Sequence, residues 1–401
     1  MDIKKLIVPN DSKIVFYIAD GLGGLPHPDF EFKTELEYAK TPNLDALAKK
    51  SVLGRTIPVR HGITPGSGPA HFGLFGYDPA SFEVGRGVLE ALGVNFPLKK
   101  GDVAIRCNFA TLDSDGKILD RRAGRIPTEE AIPVIEKIKK AIGGKIEDVE
   151  IFVFPVKEYR FGVVLRGEGL SDCIPDTDPQ QVGVKPLPVK ATCEEGKKTE
   201  RILARFVEIA HEAIKDEKRA NGFLLRGISE LPELEPFPEK FKLKSLALAN
   251  YPMYKGLARL VGMDTPEAGS EFKDLIAMLK EKWNDYDFFF VHYKWTDKAG
   301  EDGDFLKKVH YIEEFDSYLK DVLSLEPDVL VITGDHSTPA LWKGHSWHPS
   351  PLLLYSKVAG ADSAERFTER ECKHGYLGMI YAFDLMPIVL ANAGRLKKYG
   401  A

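Results

Sequence analysis

The stretch Ile14-Val15-Phe16-Tyr17-Ile18-Ala19-Asp20-Gly21 reads as a strand buried on both faces. It is apolar throughout, carries no polar alternation, and stops at an aspartate before glycine. The pattern returns late in the chain. Phe288 to His292 is a second apolar run, with Asp297 just beyond it, and Val329 to Thr333 is a third, followed by Gly334-Asp335-His336. Three such runs ending near acids predict a parallel sheet of an α/β protein. In that architecture, the carboxyl ends of the strands line the ligand crevice.

The segments around these runs fill in the organisation. Thr41-Pro42-Asn43 opens a helix, with threonine as cap and proline at the first helical position. Val309, Ile312, Phe315 and Leu319 mark another helix by their spacing. Between about 106 and 247 the texture changes. Arg106 to Arg125 alternates strand-like pieces with a basic cluster. Thr128 caps a helix expected to turn Ile132, Ile135 and Ile138 to one face. Ile151 to Phe154 and Phe161 to Leu165 read as strands, 172–188 as a Pro/Asp-rich loop, and Ile202, Phe206, Ala210 and Ile214 as a helix face. Leu231 to Glu239 reads as a linker. The expected organisation is an α/β domain in two pieces, residues 1–105 and 248–401, split by an inserted smaller α+β domain at 106–247.

A chain of 401 residues suits two or three domains at about 150 residues each. With 43% hydrophobic and 29% charged residues and a net charge of −5, it reads as a soluble globular protein with neither nucleic acid nor membrane as partner. The longest dense apolar run, Phe288 to Val291, is too short to span a bilayer. The cysteines are Cys107, Cys173, Cys193 and Cys372, spaced too widely for a zinc knuckle. So few in a long chain fit a reducing compartment, and a cytoplasmic location is expected.

Asp20, Asp297, Asp335 and His336 at strand ends, joined by His345 or His348, offer the oxygen and nitrogen donors suited to Mn²⁺, Zn²⁺ or related ions. Ser67 lies between glycines in Pro65-Gly66-Ser67-Gly68-Pro69. Its hydroxyl needs a base or a metal to act as a nucleophile. Arg106, Arg121, Arg122, Arg125, Arg160 and Arg166 in the insertion, with Lys255 and Arg259 after it, suit a small, doubly anionic substrate. Gly21-Leu22-Gly23-Gly24 lacks the G-x-G-x-x-G pattern, which excludes a dinucleotide fingerprint.

Taken together, Asp20-Gly21-Leu22-Gly23, Thr41-Pro42-Asn43, Thr64 to His71, Phe75 to Pro79, Asp120 to Arg125 and Gly334 to Pro339 resemble the short, archaeal-type cofactor-independent phosphoglycerate mutases of the alkaline phosphatase superfamily. The resemblance runs over nearly the whole chain. It implies an alkaline-phosphatase-like core sheet with helices on both faces and an inserted transferase domain. It also implies two divalent metals (Mn²⁺, Zn²⁺, Co²⁺ or Mg²⁺), and no 2,3-bisphosphoglycerate. By position, Asp20, Ser67, Asp335 and His336 would serve one metal, and Asp297 and His345 the other. The family commonly has a histidine four residues after the equivalent of Asp297, whereas this chain has Glu301.

The implied reaction carries a phosphoryl group from 3-phosphoglycerate to Ser67 and back to the 2-hydroxyl. The proton shuttle is expected among Asp172, Asp176 and Asp178, with Asp172 and Asp176 put forward. The rival readings are a phosphatase or phosphodiesterase on the same scaffold, a mutase for another sugar phosphate, and a non-catalytic binding protein. The sequence sets no oligomeric state.

Overall fold

The computed structural model describes residues 3–81 and 84–400. The chain forms two compact units, Met1–Phe82 with Leu234–Ala401, and Glu83–Glu233.

The first unit is built on a seven-stranded sheet. Its strands are β1 (Ile14–Ala19), β2 (Val52–Ile57), β9 (Ser245–Leu248), β10 (Phe288–Tyr293), β11 (Val329–Thr333), β12 (Ser350–Ser356) and β13 (Gly378–Tyr381), in the order β13-β2-β12-β11-β1-β10-β9. The three runs read from the sequence are neighbours at its centre. Ile14 pairs with Phe288 on one side and with Val329 on the other, both in parallel. β12 is the exception, antiparallel to both β11 and β2.

The continuous apolar runs follow from burial on both faces. Val15 and Tyr17 of β1, with Phe289 and Val291 of β10, pack on one face against Leu44, Leu275, Ile312 and Phe315 from the helices Pro42–Ala48, Phe272–Glu281 and Phe305–Leu323. On the opposite face Phe288 meets Phe237, with ring centres 4.8 Å apart, and Phe290 meets Phe75 at 4.9 Å. Val309, Ile312, Phe315 and Leu319 are all buried, as their spacing predicts.

The second unit is an antiparallel sheet of β3 (Val103–Leu112), β4 (Ile118–Asp120), β5 (Lys145–Ile146), β6 (Val149–Pro155), β7 (Arg160–Arg166) and β8 (Gly222–Glu230). Its order is β4-β3-β7-β6-β5, with β8 on the other side of β3. Period-2 alternation sends Val103, Ile105, Cys107 and Phe109 to one face, under the helices Thr128–Ile142 and Lys197–Ile214. The helix Arg86–Gly93 packs on β3, β7 and β8. It comes so close that a Cβ on Gly87 would sit 2.3 Å from the Ala104 carbonyl oxygen.

Three expectations change. The unit boundaries fall at 82/83 and 233/234 instead of 105/106 and 247/248. The helix Arg86–Gly93 belongs to the second unit through its packing on β3, and β9 belongs to the first through its pairing with β10. Ile132 is 41% exposed, because the buried face of its helix runs through Ala131, Val134, Ile135, Ile138 and Ile142. Cys173 and Cys193 form a disulfide, Cα to Cα 5.9 Å, while Cys107 and Cys372 are free and buried. No helix is long and apolar enough to cross a membrane among the described residues.

Candidate functional site

In the first unit, the carboxyl ends of β1, β10 and β11 bring the acids together. Asp20 directly follows β1, and its backbone N–H donates to the Tyr293 carbonyl at 2.8 Å. Asp335 and His336 follow β11. Asp297 lies in the first turn of the helix Trp295–Asp302 beyond β10. The glycine-rich turn after β1 fits closely against the loop after β11. Gly21 has φ +64°, and a Cβ there would lie 2.4 Å from Thr338 Oγ1, while one on Gly23 would lie 2.0 Å from Ser337 Oγ. These glycines therefore serve close approach of two loops.

Two groups of donor atoms result, each with all atoms within 4.8 Å of one another: Asp20, Asp335 and His336, and Asp297, His336 and His345. His336 belongs to both, whereas the family pattern placed it with the first set alone. Its Nε2 lies 3.5 Å from Asp20 Oδ1, 3.2 Å from Asp335 Oδ2 and 3.3 Å from Ser67 Oγ. His345 Nε2 lies 3.4 Å from Asp297 Oδ1 and 3.8 Å from Glu301 Oε1. His348 stacks on Trp347, ring centres 4.2 Å apart, outside both groups.

The hydrogen bonds settle which imidazole nitrogens face inward. The Thr338 hydroxyl donates its one proton to Asp297 Oδ1 at 2.7 Å. At 3.0 Å from His336 Nδ1 it is therefore an acceptor, so His336 carries its proton on Nδ1 and turns the Nε2 lone pair inward. His345 Nδ1 donates to the Pro65 carbonyl at 2.9 Å and likewise frees Nε2. Burial pushes His336 down to about 4, which keeps it neutral. For His345, burial is outweighed by Asp297 and the Pro65 carbonyl, and its pKa rises.

Asp20 and Asp335 are fully buried. Asp20 Oδ1 and Asp335 Oδ2 accept no hydrogen bond, a costly state for buried carboxylate oxygens. Burial and the neighbouring Asp335 and Asp297 raise the Asp20 pKa. Burial also opposes ionisation of Asp335 and Asp297, but His336 and His71 outweigh it at Asp335, and His345 and Lys294 outweigh it at Asp297, so both are lowered. Oxygen atoms without partners, facing an imidazole nitrogen, suit divalent cations.

Ser67 is half-buried and begins the helix Ser67–Leu74, with Gly66 as N-cap. As first helical residue, it stands where backbone N–H groups are free to face an anion. His71, one turn on, lies with Nδ1 2.8 Å from the Ser67 carbonyl and 3.3 Å from Asp335 Oδ2.

Behind the acids is a layer that the sequence reading missed. Tyr254 OH donates to Asp20 Oδ2 at 2.5 Å, and its ring lies 4.1 Å from that of His292. Lys294 Nζ is 3.0 Å from the same Asp20 oxygen and pairs with Asp297 Oδ2. The only signal for Lys294 was its place three residues before Asp297. On the helix Pro252–Leu260 that carries Tyr254, Lys255 Nζ pairs with Glu267 at 2.9 Å, and Arg259 Nε donates to Thr265 Oγ1 at 2.5 Å.

In the second unit, Arg106 (β3), Arg160 (β7) and Arg226 (β8) project from the sheet face opposite the apolar core, by the same period-2 alternation. Arg106 Nε lies 3.1 Å from Glu90 Oε1. Burial raises the Glu90 pKa against the pull of Arg106, Arg160 and Arg86. Sequence reading missed Arg86 and Arg226, since Arg226 is placed by the pairing of β8 with β3 and Arg86 by the packing of its helix on those strands.

The other predicted residues are placed differently. Arg121 holds Asp178 through two hydrogen bonds of 2.8 Å, and Arg226 Nη1 lies 3.3 Å from the same carboxylate. Asp178 is thus committed. Asp176 accepts from Gly227 N at 2.7 Å, and the exposed Asp172 accepts from Glu230 N at 3.1 Å. Arg122 and Arg125 are exposed. Arg166 binds Asp102 at 2.8 and 2.7 Å and the Pro97 carbonyl at 2.9 Å, which engages its guanidinium.

A probable 2,3-bisphosphoglycerate-independent phosphoglycerate mutase of Thermus thermophilus is 53% identical over 403 residues, covering 100% of this chain and 98% of that protein. The chain belongs to this family. A probable enzyme of the same name from Aquifex aeolicus is 52% identical, over 100% and 99% of the two chains. The family model for 2,3-bisphosphoglycerate-independent phosphoglycerate mutase matches residues 48–219. Among solved structures, the PH0037 protein of Pyrococcus horikoshii superposes with a TM-score of 0.84 at 32% identity, covering 98% of this chain and 100% of that one. The cofactor-independent phosphoglycerate mutase of Thermoplasma acidophilum gives 0.76 at 30% identity, covering 96% and 100%.

Proposed function

We propose that this protein interconverts 3-phosphoglycerate and 2-phosphoglycerate without 2,3-bisphosphoglycerate, in the cytoplasm, through a phosphoserine at Ser67. The observation that carries the reading is the 3.3 Å approach of Ser67 Oγ to Nε2 of His336, the residue common to both donor groups. Asp20, Ser67, Asp335 and His336 would hold one divalent ion, and Asp297, Glu301 and His345, within reach of His336, the other. Two such ions (Mn²⁺, Zn²⁺, Co²⁺ or Mg²⁺) would favour the Ser67 alkoxide and offset phosphoryl charge.

Ser67 Oγ bonds to phosphorus as the bond from phosphorus to the 3-oxygen breaks. Asp172 or Asp176 gives that oxygen a proton. The same carboxylate then takes the proton of the 2-hydroxyl, which attacks the phosphoserine and frees Ser67. Arg86, Arg106, Arg160 and Arg226, with Arg122 and Arg125, supply forked donors for phosphate and carboxylate, whereas the fork of Arg121 is taken by Asp178. Lys255 and Arg259 add charge on the helix that carries Tyr254. Arg166, engaged by Asp102, is left out of this set. Holding both anionic ends of glycerate between the steps is what separates transfer from hydrolysis.

The test is a coupled 3-phosphoglycerate assay without bisphosphate, with and without chelator, on the native chain and on Ser67→Ala. Activity is expected to vanish with chelator and to fall by about 10⁴-fold or more in Ser67→Ala, the scale of losing a nucleophile. Turnover surviving in Ser67→Ala would refute the phosphoserine route. Release of inorganic phosphate with no 2-phosphoglycerate would favour a hydrolase.

A further inference from the structure

We propose that Lys294 is a positioning residue that fixes the two candidate metal sites relative to one another, by gripping the outer carboxylate oxygens of Asp20 and Asp297. The inference rests on the two-metal reading above and extends it to a residue outside the ligand set.

Each acid of the site divides its two oxygens. Asp335 Oδ1 accepts the Gly21 N–H at 3.0 Å, and its Oδ2, 3.2 Å from His336 Nε2, has no hydrogen-bond donor. Asp20 Oδ2 takes Tyr254 OH and Lys294 Nζ, while Oδ1 faces His336 and has no donor. Asp297 Oδ2 takes Lys294 Nζ, and its Oδ1 faces His345 Nε2 and Thr338. Lys294 thus touches only the oxygens turned away from His336 and His345, although Asp20 Oδ2 also lies 3.5 Å from His292 Nε2 on the far side.

One ammonium reaches an acid from each donor group, and in doing so ties the end of β1 to the helix after β10. The side chain is held in turn: it is 23% exposed, and its nitrogen lies over the ring of Tyr254 at 5.6 Å. A cation that merely filled an empty metal position would lie on the inner oxygens, where Asp20 Oδ1 and Asp335 Oδ2 have no donor. Groups that orient ligands from behind in this way typically contribute 10–100-fold to metal affinity. Charge repulsion between ammonium and metal acts in the opposite sense, so the sign of the measured change discriminates.

The experiment titrates chelator-stripped protein with Mn²⁺ alone, following affinity and stoichiometry by calorimetry and spin coupling between neighbouring ions by electron paramagnetic resonance. The native chain is expected to bind two coupled Mn²⁺. Lys294→Met is expected to bind about 10–100-fold more weakly with altered coupling, and Lys294→Arg to recover part of both. Thermal melts of the metal-free forms confirm folding, and if Lys294→Met does not fold, Lys294→Gln is read in the same way. Unchanged or tighter binding in the neutral variant, with native coupling, would overturn the proposal and make Lys294 a placeholder. A native chain that binds no Mn²⁺ would instead sink the metal reading itself, and this inference with it.

Discussion

Lys308 is the most informative residue to perturb outside the site. It is fully buried on the helix Phe305–Leu323. Its ammonium donates to the Gly23 carbonyl at 3.0 Å and the Thr338 carbonyl at 2.8 Å, one on each of the two loops that carry the candidate ligands. Glu35 Oε1 stands 3.9 Å away. Lys308→Met keeps most of the volume but removes both bonds. Two hydrogen bonds from a charged donor amount to about 3–6 kcal/mol, and the ammonium's own desolvation, relieved in the variant, returns part of that. Breaking a buried pair from one side typically costs about 3–5 kcal/mol, and we expect a loss in that range. For a unit of this size, that corresponds to a fall in melting temperature of about 6–20 °C. Urea denaturation of the native chain, Lys308→Met, Glu35→Gln and the double variant measures it. The double variant should lose at least about 1 kcal/mol less than the sum of the singles, since removing the lysine strands the glutamate. A single variant within about 1 kcal/mol of native stability would show that the two loops do not depend on this bridge.

Two further outcomes follow from charge and covalent linkage. Burial pushes the Glu369 carboxyl up to about 7, where it accepts from Gly24 N at 2.9 Å and Thr34 Oγ1 at 2.6 Å. An acid with a raised folded pKa is protonated more readily folded than unfolded, so its contribution to stability declines as pH climbs from about 4 to about 7. Glu369→Gln should therefore gain stability relative to the native chain across that window, by up to about 3 kcal/mol above it. Denaturation at pH 5 and pH 8 reads the difference, and a gain independent of pH would contradict it. The Cys173–Cys193 bridge closes a loop of 20 residues in separation around Asp176 and Asp178. Replacing both cysteines with serine should lower the stability of the second unit by about 3 kcal/mol on loop-entropy grounds, with no shift on reduction of the native chain as the contrary result.

The central strands were legible because β1, β10 and β11 are covered on both faces and so are apolar without interruption. Asp20, Asp297, Asp335 and His336 could be located because they follow those runs. The sharing of His336 was not legible. It depends on a side chain at one strand end reaching neighbours contributed by two others. Arg226 and Arg86 were missed because only the pairing of β8 with β3 and the packing of the helix Arg86–Gly93 bring them beside Arg106. Lys308, Glu35 and Glu369 were not singled out, since nothing in a local window separates a buried lysine from an exposed one. Ile132 erred the other way, an isoleucine that the helix turns outward.

The order of strands in the first sheet also bears on how the chain leaves the ribosome. β1 emerges well before both of its neighbours, β10 and β11, with Ile14 paired to Phe288 and Val329. Until they follow, this strand has neither edge covered, while the whole second unit, with its own core, is synthesised and free to collapse. A nascent chain stalled before Phe288 would thus display an apolar strand without its partners, the species on which holding chaperones act.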